Sequence, residues 1–256
     1  MIGAILGDII GSHYEFTYHK SKEFELLHMS KNFITDDTLM TIAVGNAILK
    51  AGHDFKALEI AAQQSLLDIG RRYPSGYGSM FRQWLKSDNP KPYHSYGNGA
   101  AMRVSACGIC YDSVEDVKAC SHAVTKVTHN HPEGLKAAEV VAVAIFHLRH
   151  GMSKYELRKL IQPFYNMYTN LDEIRPKNKF TEDAKYTVPP AIIAFLESYS
   201  FEDAIRNAIS LGGDADTLAA ITGSLAEAYY GIPEDLYKQI NDYIYHEELI
   251  GDVETF

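Results

Sequence analysis

The start of one apolar helix sequence is the feature that most constrains how this chain folds. In SLGGDADTLAAITGSLAEAYYG, residues 210–231, a double glycine leads into Asp214, Asp216 and Thr217, and small and apolar residues follow. Asp and Thr are good N-caps, and Asp suits the positive end of a helix. One helix start needs only one cap, so three oxygen-bearing side chains exceed that need. From this segment alone, a capping role and a metal or anion site both stay open.

A second helix start has the same character. In FITDDTLMTIAVGNAILKAG, residues 33–52, Asp36 and Asp37 lie between Thr35 and Thr38 and again precede an apolar helix sequence. If the two starts face each other in one core, four carboxylates converge, and protons or cations must compensate their repulsion. Oxygen ligands suit Mg²⁺, Mn²⁺ or Ca²⁺. Four carboxylates can hold two such ions roughly 3.5–4 Å apart, so the pair of motifs predicts a metal site.

Composition sets the class of protein. The chain has 256 residues, of which 46% are apolar, so a sizeable core is possible. A net charge of −9 argues against broad binding to nucleic acid or to a membrane surface. The start, MIGAILGDIIGS, lacks the basic residues of a signal peptide, and no stretch is long enough to span a bilayer. These features predict a soluble, cytoplasmic protein.

Helix signals dominate the chain. Ser113, Ser153 and Ser200 are each followed three residues later by an acid, which is typical of a helix N-terminus, and Asp54 also fits an N-cap. No Asn-Gly hairpin lies between alternating strands. We therefore predict an all-α fold of ten or more helices. If the two acidic clusters meet, they share one core, which favours a single domain. We therefore predict one compact domain over residues 1–256, with residues 17–33, 72–99 and 166–190 as its least regular parts.

The N-terminal segment predicts close helix packing. Gly3, Gly7 and Gly11 are four residues apart, which stacks them on one helix face and does not match a nucleotide-binding G-x-G-x-x-G motif. Asp8 is a candidate to support the metal site through hydrogen bonds. Glu15 is either a surface glutamate or an acid at the rim of a pocket.

Two glycine-bearing loops could bind an anion. PYHSYGNGAAMRV carries Gly97 and Gly99 before a helix, with Arg103 adding positive charge, and such a loop suits phosphate. It is also compatible with an ordinary turn. RRYPSGYGSMF is a second loop of this kind, with Gly76 and Gly78.

Histidines and cysteines offer weaker signals. In THNHPEG, His129 and its neighbour His131 could ligate metal, cap a helix or contact phosphate. Cys107, Cys110 and Cys120 could form a zinc site with a nearby histidine, but their small and apolar neighbours favour buried free thiols.

Taken together, the segments GAILGDIIGSHYE, TDDT, SYGNGAAMR, THNHPEG and SLGGDADTLAAITGSLAEAYYG resemble the ADP-ribosylglycohydrolase family, of the dinitrogenase-reductase-activating glycohydrolase type. The paired TDDT and GGDADT motifs are the most specific part of this resemblance. It implies an all-α fold with a binuclear Mg²⁺ or Mn²⁺ centre. It also implies hydrolysis of the bond that joins ADP-ribose to an acceptor, either a protein side chain such as arginine or serine or a small ADP-ribose conjugate. Nucleic acid is expected only as an ADP-ribosylated substrate, and no membrane partner is expected.

The resemblance also implies roles for individual residues. The metal ligands are expected to be Thr35, Asp36, Asp37, Asp214, Asp216 and Thr217. Positions expected to line the ADP-ribose are Gly76, Gly78, Ser95, Tyr96, Gly97 and His129. Glu15 matches an acid near the metals, and the catalytic carboxylates are expected among Glu15, Asp37 and Asp216.

The chain departs from the family pattern in places. Glu227 stands where a small residue is expected, which we interpret as an exposed variation, and residues 166–190 match no motif. These departures leave the choice of acceptor open. Two alternatives to an ADP-ribose hydrolase remain: another binuclear-metal hydrolase, such as a phosphoesterase, and a catalytically silent relative that binds ADP-ribose.

Overall fold

The fold is all-α, as the sequence predicts. The computed structural model describes residues 1–28 and 30–244, so the end of the predicted 1–256 domain, residues 245–256, lies outside the described residues. Within them the chain forms thirteen α-helices and no strand. The helices are α1 (Ile2–Ser12), α2 (Asp36–Ala51), α3 (Phe55–Arg72), α4 (Ser79–Lys86), α5 (Ser105–Ile109), α6 (Val114–Thr125), α7 (Pro132–Arg149), α8 (Lys154–Ile161), α9 (Leu171–Ile174), α10 (Ala184–Leu196), α11 (Phe201–Ile209), α12 (Ala215–Tyr230) and α13 (Glu234–Gln239), with 3₁₀ turns at Asn98–Ala100 and Ile240–Asp242.

Helix α12 is the centre of the molecule. Every residue from Ala215 to Ala226 is buried. Helices α1, α7, α10 and α11 pack around it, and α2 packs against α1 and α3. Small side chains on α12 let these neighbouring helices approach it closely. The helix ends at Gly231, whose positive φ of 76° suits glycine.

Helices α1 and α12 touch backbone to backbone. A Cβ atom on Gly3 would lie 2.3 Å from the carbonyl oxygen of Gly223, and one on Gly7 would lie 2.1 Å from that of Ala219. A Cβ atom on Gly11 would lie 2.5 Å from the Cα of Asp216. The predicted glycine face is therefore confirmed as a close packing surface, and it reaches the start of α12.

Local signals placed four of the helix starts correctly. Ser113, Ser153 and Ser200 cap α6, α8 and α11, each by accepting the backbone N–H of the acid three residues later, and Asp54 caps α3. The predicted irregular segments contain more helix than expected. Helix α4 lies within residues 72–99, and α10 begins within residues 166–190 despite Pro189 and Pro190.

Two smaller expectations need correction. Cys107 and Cys120 are buried free thiols as predicted, but Cys110 is exposed. Glu227 is not an exposed variation, since its carboxylate accepts hydrogen bonds from the amino group of Met1 (2.7 Å) and from the backbone N–H of Gly3 (2.9 Å). It thereby satisfies free donors at the start of α1. Among the described residues, no helix combines the length and apolarity needed to cross a bilayer.

The glycine contact generates a stability prediction. We expect Gly7→Ala to lower the free energy of unfolding by about 2–3 kcal/mol, because the added Cβ overlaps the backbone of α12 and outweighs the better helix propensity of alanine. Urea unfolding followed by circular dichroism measures the change. Gly76→Ala is the control, since a Cβ there meets no atom within 4 Å, and it should change stability by less than about 0.5 kcal/mol. Equal effects of the two substitutions would contradict the packing described.

Candidate functional site

The two acidic helix starts come together in one cavity. Thr217, in the first turn of α12, donates its hydroxyl to Asp37 Oδ2 of α2 across 3.2 Å, although the two residues are 180 positions apart. The predicted acids all line this cavity: Glu15, Asp36, Asp37, Asp214 and Asp216. Two elements distant in sequence thus supply facing halves of one carboxylate-rich site.

Asp8 of α1 holds the TDDT turn in place. Its buried carboxylate accepts the backbone N–H (2.9 Å) and the hydroxyl (2.7 Å) of Thr35. It also accepts the backbone N–H (3.0 Å) and the hydroxyl of Thr38. Four donors on one carboxylate fix the start of α2 relative to α1, which is the supporting role predicted for Asp8.

The α12 side of the site is held in a similar way. Asn98 Nδ2 donates to Asp214 Oδ2 at 2.6 Å, and the backbone N–H of Thr217 donates to Asp216 Oδ1 at 2.9 Å. Glu15, in the loop after α1, completes this side. Glu15, Asp214 and Asp216 each offer a carboxylate oxygen, and these oxygens lie within 4.8 Å of one another.

Burial and mutual repulsion disfavour ionisation of these acids. For each acid, removal of the carboxylate from water is the largest cause of the raised pKa. It raises the pKa of Glu15 to about 8, with further contributions from the charges of Asp216 and Asp36. It raises the pKa values of Asp36 and Asp214 to about 6.

The two most central acids are affected most. Burial raises the pKa of Asp37 and that of Asp216 well above the ordinary value. The Asp216 charge raises the Asp37 pKa further, and the Asp214 charge does the same to Asp216. A cluster of this kind requires protons or cations between its members.

The side-chain oxygens in the cavity are suitable ligands for divalent cations. Asp37 Oδ1 is buried and makes no hydrogen bond within the described part of the chain. A buried carboxylate oxygen without a partner is costly, and a cation at this position would satisfy it. The neighbouring donors are all oxygens, which favours Mg²⁺ or Mn²⁺ over zinc. By contrast, no cluster of three cysteine or histidine ligands occurs in the part of the chain that the structure describes, so the zinc alternative finds no support.

The glycine loops form another wall of the same cavity. It is lined there by Gly76, Gly78, Ser95, Gly97 and the buried His129. A Cβ atom on Gly99 would lie 3.2 Å from His129 Nε2, so this glycine leaves room for the imidazole. Burial, reinforced by the positive charge of Arg103, holds the pKa of His129 well below its ordinary value. His129 is therefore neutral at pH 7.

Two predicted site residues do not line the cavity. The side chain of Tyr96 is 54% exposed, and its ring lies 5.5 Å from that of His131. Thr35 is buried, but its hydroxyl donates to Asp8 and accepts the backbone N–H of Asp37. Its oxygen retains only one lone pair for any further ligand.

The structure adds cavity residues that sequence reasoning missed. Asn98 stands between the two glycines of the SYGNG loop, and its local sequence pattern gives no sign of a role in the site. Phe180 and Glu182 line the cavity from residues 166–190, the segment without a recognisable motif. The carbonyl of Glu182 accepts the backbone N–H of Asn98 at 2.7 Å, which ties that segment to the loop.

The raised pKa values generate a stability prediction for metal-free protein. Unfolded Asp and Glu titrate near pH 4, so between about pH 5 and 8 the native state binds more protons than the unfolded state. The free energy of unfolding should therefore fall as pH rises through this range. We expect a fall of at least about 1 kcal/mol, the equivalent of one pKa unit at a single buried carboxylate. Urea unfolding in chelator at a series of pH values measures it.

Substitutions locate the source of this pH dependence. Asp214→Asn should flatten the slope, whereas Asp88→Asn, at an exposed position in the loop after α4, should leave it unchanged. Adding Mg²⁺ should stabilise the protein more at pH 8 than at pH 5, because protons compete with cations for the same oxygens. Stability that stays constant or rises with pH in chelator would contradict the proximity of these acids.

Comparison with known proteins gives a consistent result. The family model for ADP-ribosylglycohydrolase matches residues 1–255. The chain is 27% identical to ADP-ribosylhydrolase ARH3 of Homo sapiens, over 95% of this chain and 88% of that protein. It is 24% identical to the ADP-ribosyl-[dinitrogen reductase] glycohydrolase of Rhodospirillum rubrum, over 91% and 85% of the two chains.

A solved structure agrees with the sequence relatives. A chain described as an ADP-ribosylglycohydrolase-related protein complex superposes with a TM-score of 0.73 at 26% identity, over 98% of this chain and 94% of that one. The match of the whole chain, the shared fold and the facing carboxylates agree. The protein belongs to the ADP-ribosylglycohydrolase family and is a hydrolase acting on glycosyl bonds.

Proposed function

We propose that this enzyme uses two divalent cations, Mg²⁺ or Mn²⁺, to cleave the glycosidic bond between ADP-ribose and an acceptor. The acceptor is a protein side chain, such as arginine or serine, or the remainder of a small ADP-ribose conjugate. The observation that carries the proposal is the cavity itself. Facing carboxylates on α2 and α12 form one side of it, and glycine loops with a buried histidine form the other.

The cations would be held by the oxygens at the two helix starts. We assign as ligands Asp36, Asp37, Asp214, Asp216 and Thr217, and also Thr35 through the one lone pair that its hydroxyl oxygen retains. Asp37 Oδ1 supports this assignment most strongly, because it is buried and makes no hydrogen bond with the residues that the structure describes. When bound, the cations supply a Lewis acid for the ribose hydroxyls and lower the pKa of a coordinated water.

The protein's own groups would orient the substrate. Gly78 is the N-cap of α4, and no side chain in the described part of the chain caps this helix. The backbone N–H groups of its first turn can therefore bind a phosphate. Ser95 Oγ accepts the N–H of Gly97 at 3.1 Å, which leaves the hydroxyl proton of Ser95 free to donate. Together with Gly76, Gly97 and His129, these donors suit the diphosphate of ADP-ribose. Tyr96, exposed at the outer end of the same loop, offers an aromatic ring that could stack on the adenine.

Carboxylates beside the scissile bond would handle the proton of the attacking water. Glycoside hydrolysis develops positive charge at the anomeric carbon, and a base accepts a proton from water. Glu15, Asp37 and Asp216 are our candidates for this role. Glu15 is half-buried at the cavity edge and close to Asp214 and Asp216, so it can contact both water and the bound sugar.

Conservative substitutions test the assigned ligands. We expect Asp37→Asn and Asp216→Asn each to reduce kcat/KM by more than about 100-fold. Loss of a residue that only hydrogen-bonds to a metal ligand typically costs about 10–100-fold in activity, and loss of the ligand itself should cost more. The loss is measured by assaying each variant in excess Mg²⁺ or Mn²⁺ and detecting the released ADP-ribose by chromatography. Circular dichroism should show folded variants, and Asp88→Asn should retain full activity. Full activity of either ligand variant, or of wild-type protein after thorough chelation, would refute the mechanism.

A product assay tests the reaction and the acceptor. The enzyme is incubated with divalent cation and arginine-linked, serine-linked or acetyl-linked ADP-ribose, and the released species are identified. We expect free ADP-ribose from at least one of the three. Release of AMP and a ribose phosphate instead, through cleavage of the diphosphate, would indicate a phosphoesterase. If the protein binds ADP-ribose but hydrolyses none of the three substrates in either Mg²⁺ or Mn²⁺, it is a catalytically silent relative.

A further inference from the structure

A buried arginine, Arg103, lies beside His129. Arg103 is 1% exposed and lines the cavity, yet in residues 1–28 and 30–244 it forms no ion pair. Burial lowers its pKa to about 10, so the guanidinium still carries its charge at pH 7. Its Nε makes no hydrogen bond with the described residues, and its Nη2 donates to Thr128 Oγ1 at 2.6 Å. The direction of this last bond is certain, because a guanidinium can only donate.

The bond from Arg103 determines the direction in which the Thr128 hydroxyl donates its own hydrogen. The oxygen accepts from Arg103, so its hydrogen can point to one of two acceptors. One is His129 Nδ1, 2.8 Å away, and the other is the carbonyl of Thr125, 3.5 Å away. The first has the length of a good O–H hydrogen bond, whereas the second is at the outer limit. Thr128 therefore donates to His129 Nδ1, and successive donors along the chain strengthen one another.

The consequence is a defined tautomer of His129. A neutral imidazole carries one hydrogen, and if Nδ1 accepts from Thr128 that hydrogen is on Nε2. Nε2 lies over the SYGNG loop, where a Cβ atom on Gly99 would be 3.2 Å away and one on Gly97 would be 3.6 Å away. Both glycines line the cavity, so the N–H is available to a ligand there.

We propose that Arg103 and Thr128 form a relay that fixes His129 as the Nε2–H tautomer and presents one hydrogen-bond donor to an anionic group, a phosphate, in the cavity. Arg103 and Thr128 are positioning residues, since they act through His129. The identity of the anion as part of ADP-ribose rests on the proposed function. The tautomer itself does not.

The Nδ1–H tautomer of His129 would form weaker hydrogen bonds with Thr128. If Nδ1 carried the hydrogen, Thr128 Oγ1 would receive donors from both Arg103 and His129, and its own proton would have only the 3.5 Å contact to Thr125. His129 would then turn an unprotonated nitrogen toward the cavity, where it would repel a phosphate oxygen. The relay thus determines whether this histidine attracts or repels an anion.

Histidine ¹⁵N NMR of the full chain tests the relay directly. At pH 7, long-range ¹H–¹⁵N correlations should show His129 with a protonated Nε2 and an unprotonated Nδ1, with His129→Gln used to assign the signals. We expect Thr128→Val to shift both nitrogens toward a mixture of tautomers and Thr128→Ser to restore the wild-type pattern. Thr125→Val is the matched control, because Thr125 Oγ1 is buried and makes no hydrogen bond within residues 1–28 and 30–244, so its loss should leave the His129 signals unchanged.

Binding of ADP-ribose in Mg²⁺, measured by calorimetry, supplies the second readout. We expect Thr128→Val to raise Kd about tenfold, in line with one misdirected hydrogen bond, and Thr128→Ser to stay within about twofold of wild type. A protonated Nδ1 in wild-type protein, or identical His129 signals in wild type and Thr128→Val, would overturn the relay. If the predicted tautomer is found and ADP-ribose does not bind, the relay stands and the proposed function fails.

Discussion

The structure depends on bringing carboxylates together where they cannot all be ionised. Asp37 and Asp216 are buried, and 3.2 Å separates Asp37 from the Thr217 hydroxyl. In addition to burial, the charge of Asp216 raises the pKa of Asp37, and that of Asp214 raises the pKa of Asp216. Isolated buried carboxylates are expensive, and a chain retains such a group only where protons or cations compensate it. These observations support our proposal that the cavity binds cations with protein ligands that are already assembled.

Helix α1 makes that assembly possible. Its glycine face brings the backbone of α1 against that of α12, with Gly11 directly against Asp216. From the same helix, Asp8 fixes the start of α2 through Thr35 and Thr38. One short helix therefore sets the position of both acidic helix starts. A protein that places metal ligands on separate helices needs such a rigid element, because small displacements alter coordination.

Much of this could be predicted from the sequence, and the limits have physical reasons. The TDDT and GGDADT starts and the glycine spacing are local patterns, and they correctly indicated helices, close packing and facing acids. Asn98, Phe180 and Glu182 were missed because their roles depend on contacts between distant segments that no local pattern records. Glu227 was misinterpreted for the same reason, since its partners, Met1 and Gly3, lie more than 220 residues away in sequence. The tautomer of His129 likewise depends on a bond between Arg103 and Thr128.

Anomalous diffraction from crystals of the protein soaked in Mn²⁺ tests the central claim most directly. The claim predicts anomalous peaks between the starts of α2 and α12, with one ion bonded to Asp37 Oδ1. It also predicts that Asp37→Asn weakens or removes that peak. Crystals that diffract well and show no manganese between these helices, or manganese only at exposed surface acids, would contradict the claim that these carboxylates are assembled to bind metal.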